Sequence, residues 1–131
     1  METHQSGIDA NRISLIGWSY GGGSILAALS ATNPNTPIGK AVMYHPVCRG
    51  ARTRPGAIIG LMLLGAADDI APPALCNAVA QGAQKLKLIG YPNARHGFDL
   101  RRLPENEAAG TPAYDPEAAA ASWTAVMEFL K

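Results

Sequence analysis

From residue 12 onward the chain alternates short apolar runs with longer mixed segments. Arg12 to Gly17 (Arg-Ile-Ser-Leu-Ile-Gly) is brief, β-branched and apolar on both faces, the pattern of a strand buried in a parallel sheet. It runs into Trp18-Ser19-Tyr20-Gly21-Gly22-Gly23. Ser24 to Ala31 then has a helix-favouring composition, closed by Asn33-Pro34-Asn35-Thr36-Pro37. Lys40 to Tyr44 reads as a second strand, followed by a loop from Pro46 to Pro55. Ile58 to Leu64 reads as a third strand, broken by Gly65. Pro73 to Lys85 can hold a helix, its proline in the first turn, where a missing N–H costs nothing. Leu86 to Tyr91 is a fourth strand, stopped by Pro92, and Pro92 to Pro116 is loop-like. In Glu117 to Leu130 the residues Ala120, Trp123, Met127 and Leu130 recur at i, i+3, i+7 and i+10, which predicts a helix with one apolar face.

Short apolar strands alternating with helices predict an α/β fold: about four parallel strands with helices packed on them. The crossover from the second strand to the third looks irregular. The 131 residues suffice for one domain and not for two. At 47% hydrophobic and 16% charged, the composition is that of a folded domain and too apolar for a disordered one.

No apolar run approaches the ~18 residues of a membrane helix. The opening Met-Glu-Thr-His-Gln-Ser has neither a basic nor an apolar signal region, so the chain as written reads as cytoplasmic. Net charge is +1, and Arg49, Arg52 and Arg54 form the only basic cluster. Neither a nucleic-acid nor a membrane partner is expected. Arg101 and Arg102 read as a solvated loop.

The chemistry concentrates at the ends of the predicted strands. Gly17-Trp18-Ser19-Tyr20-Gly21 fits G-x-S-x-G, between a predicted buried strand and a predicted helix. A serine at so sharp a turn is lifted clear of the sheet, and glycines on either side let backbone approach without Cβ clashes. The backbone N–H of Tyr20 then faces the place where an oxyanion would form. A bare glycine-rich turn is the structural alternative. A phosphate loop fits poorly, because no Lys-Ser or Lys-Thr follows the glycines.

A serine nucleophile needs a base, and the base an orienting acid. Asp68, in Gly65-Ala66-Ala67-Asp68-Asp69, stands just past the third strand, where open α/β sheets carry their functional loops. Asp69 is its rival, and one of the two can instead cap the next helix. His96, just past the fourth strand, lies 28 residues beyond Asp68, close to the ~30 of one βαβ unit. His45 also ends a strand but precedes the acid, and His4 sits near the terminus. Cys48 and Cys76 form no C-x-x-C pair, so neither zinc nor an iron–sulfur cluster is expected. No cofactor is implied.

On these residues the chain resembles the dienelactone hydrolase family of the α/β-hydrolase superfamily. The resemblance rests on Arg12 to Gly22, Gly65 to Cys76, Tyr91 to Asp99 (Tyr-Pro-Asn-Ala-Arg-His-Gly-Phe-Asp) and the Ala-rich last helix. It implies Ser19 as nucleophile, Asp68 as acid and His96 as general base, acting on a small ester or lactone. Founding members carry cysteine as nucleophile where this chain has Ser19, so lactone specificity does not carry over. The resemblance begins at the strand before the serine, which casts residues 1–131 as the C-terminal portion of such a domain. The family's early loop supplies a second oxyanion donor that has no counterpart here. The serine strand is then expected at an exposed sheet edge, and self-association there, or poor folding alone, is the expected consequence.

Two alternatives stand beside this reading. Ser19-Tyr20-Gly21-Gly22 and His96-Gly97-Phe98 are also similar to the prolyl oligopeptidase family, which implies a serine peptidase. A non-catalytic remnant acting as an interaction module is the other. Finally, Cys48 and Cys76 fall at the same end of neighbouring elements: two buried thiols or a disulfide both fit, and a disulfide requires an oxidising compartment.

Overall fold

The computed structural model of the chain describes residues 7–9, 12–31, 38–51, 59–105 and 108–131. Along the chain the elements are β1 (Ile13–Trp18), α1 (Tyr20–Ala31), β2 (Ile38–Tyr44), β3 (Gly60–Gly65), α2 (Pro73–Gln81), β4 (Leu86–Tyr91) and α3 (Pro116–Leu130). The four strands form one sheet in the order β1-β2-β3-β4, every neighbouring pair parallel. This is the parallel α/β arrangement that the alternation of elements predicts. Arg49 is exposed; Arg52, Arg54, His4 and the start of the predicted third strand at Ile58 lie outside the described residues.

The strand pleat sorts side chains into two cores. Ala41, Met43, Met62 and Leu64 point to one face and pack with Leu26 and Leu29 of α1 and Cys76 and Val79 of α2. Val42, Tyr44, Leu61 and Leu63 point to the other and pack with Phe98 and with Ala118 and Val126 of α3. All of β3 is buried, which is why its sequence is apolar without alternation. Burying each such Leu or Met contributes roughly 1.5–3 kcal/mol, so β3 is the axis of the fold. β1 lies at one edge of the sheet, as expected for the serine strand, but it is not the strand buried on both faces that its apolar run predicts. Only its Gly17 is buried, and Ile16 and Trp18 are exposed because no strand among the described residues pairs with its outer side.

Helix α3 differs from its predicted orientation. Ala118, Ser122 and Val126 are buried against the sheet, while Trp123 and Met127 are 56% and 52% exposed. Small side chains at 118 and 122 let the helix backbone come close to the strands, which outweighs the larger but protruding Trp123–Met127 stripe. The helix starts where Asp115 accepts the N–H of Ala118 at 3.0 Å, a side-chain cap. At its other end Lys40 Nζ donates to the carbonyl of Phe129 at 2.7 Å, a cation at the negative helix end.

The cysteines are joined. Cys48, after β2, and Cys76, in the first turns of α2, form a disulfide with Cα atoms 5.2 Å apart. Of the two arrangements the sequence allows, the fold takes the bridged one.

Candidate active site

Ser19 occupies the turn between β1 and α1 with φ at +51°, a left-handed backbone that a non-glycine residue adopts at a cost. The turn is clamped on all sides. Ser19 N–H donates to the Tyr44 carbonyl at 3.0 Å, and the Ser19 carbonyl accepts from Gly23 at 3.0 Å and Val47 at 3.1 Å. A Cβ at Gly17 would lie 2.6 Å from Ile25 Cδ1 and 2.8 Å from the Gly21 backbone, so glycine is required there. Gly21 differs from expectation: a Cβ there would meet nothing within 4 Å. The close approach falls instead at Gly23, where a Cβ would come within 2.5 Å of the Val47 carbonyl. The glycines of this turn thus serve packing of α1 against the loop after β2 as much as the serine itself.

His96 and Asp68 meet Ser19 from the loops after β4 and β3. His96 Nε2 lies 2.8 Å from Ser19 Oγ, and His96 Nδ1 lies 2.8 Å from Asp68 Oδ2. Asp68 Oδ1 also accepts the backbone N–H of Ile70 at 3.0 Å and of Ala71 at 2.8 Å. A carboxylate that accepts on both oxygens places the imidazole proton on Nδ1, leaving Nε2 free to accept the serine hydroxyl. Asp68 is 4% exposed and His96 9%. In this low-polarity setting each of these hydrogen bonds is stronger than in water. Asp69 is exposed and does not take part. Neither aspartate caps α2, whose N-cap position is Pro72 without a side-chain bond; the bonds to Ile70 and Ala71 instead hold Asp68 in its own turn.

Tyr20 opens α1, so its backbone N–H belongs to the first helical turn, which has no intrahelical acceptors. It adjoins Ser19 at the positive end of the helix. Beside the serine, Trp18 stacks on Tyr44 with centroids 5.6 Å apart. Both line a cavity of about 480 Å³, to which the loop after His96 contributes Leu100, Arg101 and Tyr114. Burial pushes the Tyr44 hydroxyl up, the Asp99 charge adds to that, and its hydrogen bond to Ser122 opposes it.

Two further side chains reach the cluster. His45 Nε2 donates to Asp99 Oδ1 at 3.0 Å, and the Trp18 indole N–H donates to Asp99 Oδ2 at 2.6 Å. The His45 ring stands 4.5 Å from that of His96. The sequence offers one signal for His45, its place at a strand end, while chain order favours His96; it is His96 whose Nε2 lies against Ser19 Oγ. Among the described residues no group of three or more His, Cys, Asp or Glu side chains is arranged to hold a metal. No described helix is long and apolar enough to cross a membrane.

The profile of the dienelactone hydrolase family matches residues 2–131. The chain belongs to the dienelactone hydrolase family. No curated protein matches it. Solved structures share the fold of this family member. A Klebsiella pneumoniae protein named as a candidate dienelactone hydrolase superposes with a TM-score of 0.71 at 22% identity, over 95% of this chain and 54% of its own. Esterase 2 of Thermogutta terrifontis, phosphorylated by paraoxon, gives 0.73 at 19%, over 95% and 55%. The carboxylesterase Cest-2923 of Lactobacillus plantarum gives 0.62 at 16%, over 95% and 62%. The chain therefore spans little more than half the length of the first two and about three-fifths of the third.

Proposed function

We propose that the chain is the portion of an ester hydrolase that runs from the serine turn to the last helix, and that it works through an acyl-enzyme on Ser19. Ser19 Oγ attacks the ester carbonyl while His96 Nε2 takes its proton. The tetrahedral oxyanion is met by the Tyr20 N–H. His96 returns the proton to the departing alcohol, leaving the acyl group on Ser19 Oγ. Water then attacks that acyl carbon, giving a proton to His96, and the acid leaves as the proton returns to Ser19. Asp68 fixes the imidazole tautomer and stabilises the imidazolium at each transfer. The observation that carries this reading is the continuous chain Ser19–His96–Asp68, with both links at 2.8 Å. Family membership supports an ester-type substrate.

The test is turnover of a small chromogenic ester beside a dipeptide amide of similar size. Ester turnover that vanishes in Ser19→Ala and survives in Asp69→Asn is expected. Faster turnover of the amide would replace this reading with a peptidase.

A further inference from the structure

His45 is a buried imidazole that this mechanism leaves idle. It is 2% exposed, and its backbone lies in the left-handed region at φ +34°. Its Nδ1 is buried with no hydrogen-bond partner among the described residues. Each feature is unfavourable by itself, and an apolar side chain of similar shape would avoid the unpaired nitrogen. Something else must favour a histidine here.

The other ring nitrogen supplies it. Nε2 donates to Asp99 Oδ1 at 3.0 Å, while Asp99 Oδ2 accepts the Trp18 indole N–H at 2.6 Å. Trp18 precedes Ser19, and Asp99 shares a loop with His96, so one carboxylate ties the ends of β1 and β2 to the loop after β4. The His45 ring, fixed by that bond, stands edge-on to His96, with centroids 4.5 Å apart and planes at 61°. It also stands against Phe98, at 5.9 Å and 72°. His96 cannot swing its ring toward that side without displacing His45, and Asp99 holds His45 in place.

We propose that His45 and Asp99 are a second imidazole–carboxylate pair, positioning residues that hold the His96 ring in the one orientation serving both Ser19 and Asp68. The proposal rests on the assignment of His96 as general base. A misplacement of about 1 Å in such an array can cost ~10²-fold in rate, so slackening the support slows the reaction without touching the reacting atoms.

The test uses His45→Phe, which keeps an aromatic ring but loses the donor, and Asp99→Asn, which keeps the shape but can accept from only one of the two donors. Two readouts are taken on the whole chain, with folding checked by circular dichroism. One is the rate of Ser19 phosphonylation by a fluorophosphonate, expected to fall roughly 10- to 100-fold in both variants. The other is the low-field proton resonance of His96 Nδ1–H in the bond to Asp68, expected in the unaltered chain and broadened or lost in the variants. Should His45→Phe fail to fold, Asp99→Asn decides alone. An unaltered chain that never labels defeats the hydrolase reading, and the proton resonance then judges the positioning role independently. A folded Asp99→Asn chain with an unchanged resonance or labelling rate overturns the proposal, as does an unaltered chain lacking the resonance.

Discussion

Val47 donates its backbone N–H to the carbonyl of Ser19 at 3.1 Å, so the serine turn is held from below by the loop that also carries Cys48. That loop is in turn bridged to α2 through Cys76, and α2 follows the turn of Asp68. One covalent link thereby joins the supports of two of the candidate active-site residues.

Closing the segment between residues separated by 28 positions removes unfolded-state entropy worth about 3.5 kcal/mol in the chain-entropy treatment. Urea unfolding with and without reductant is expected to show a loss of that order, and the Cys48→Ala, Cys76→Ala double variant the same loss without reductant. An unfolding midpoint indifferent to reductant would mean that the bridge adds nothing. Disulfides persist in oxidising compartments, so this bond and the cytoplasmic expectation drawn from the opening residues point in different directions.

The glycines of the turn are expected to separate sharply. Gly21→Ala meets nothing and lies within α1, so it should stabilise by about 0.5–1 kcal/mol. Gly23→Ala drives a methyl into the Val47 carbonyl and should cost about 1–3 kcal/mol. Thermal denaturation of the two variants side by side makes the comparison; equal effects would contradict the packing described.

Alkaline stability should depend on Tyr91. Burial, with Tyr44 adding to it, pushes its hydroxyl up to about 12 from 10.0. The stabilisation linked to Tyr91 is full below pH 10, where both states hold the proton. Above that the unfolded chain releases it first, and stability declines as pH rises towards 12. Tyr91→Phe should flatten this decline in unfolding midpoints taken across that range; an unaltered alkaline slope would show that another group governs it.

The two neighbouring aspartates should differ in kind. Asp68→Asn leaves the Ser19–His96 contact but favours the wrong tautomer, and ester turnover should fall by about 10⁴-fold, as removal of the orienting acid does in serine hydrolases generally. Asp69→Asn, exposed and outside the cluster, should leave turnover within about twofold. Steady-state kinetics on both would reverse the assignment if the losses were exchanged.

What could be read along the chain was whatever depends on near neighbours. β3 and the second half of β2 are legible because strand residues buried on both faces need unbroken apolar runs. β4 is legible because Leu86, Leu88 and Ile89 stand between turn residues, and the turn at Ser19 because a tight strand-to-helix connection demands glycine nearby. The packed face of α3 was not, because Ala118 and Ser122 are buried for their smallness, while the helical pattern gives weight to Trp123 and Met127. The role of Gly23 was hidden because Val47, its contact, comes from another loop. The bond of Asp99 to both Trp18 and His45, and the choice between thiols and disulfide at Cys48 and Cys76, likewise depend on how distant loops converge. Asp68 could be preferred over Asp69 by spacing, but only the 2.8 Å contact with His96 separates them in space.

Whether Ser19 is an activated nucleophile in this polypeptide is measured by reacting the purified chain with a fluorophosphonate and locating the adduct by mass spectrometry. One adduct per chain is expected, on Ser19, absent in Ser19→Ala. A folded chain that takes up no probe, or takes it up elsewhere, would contradict that role for Ser19.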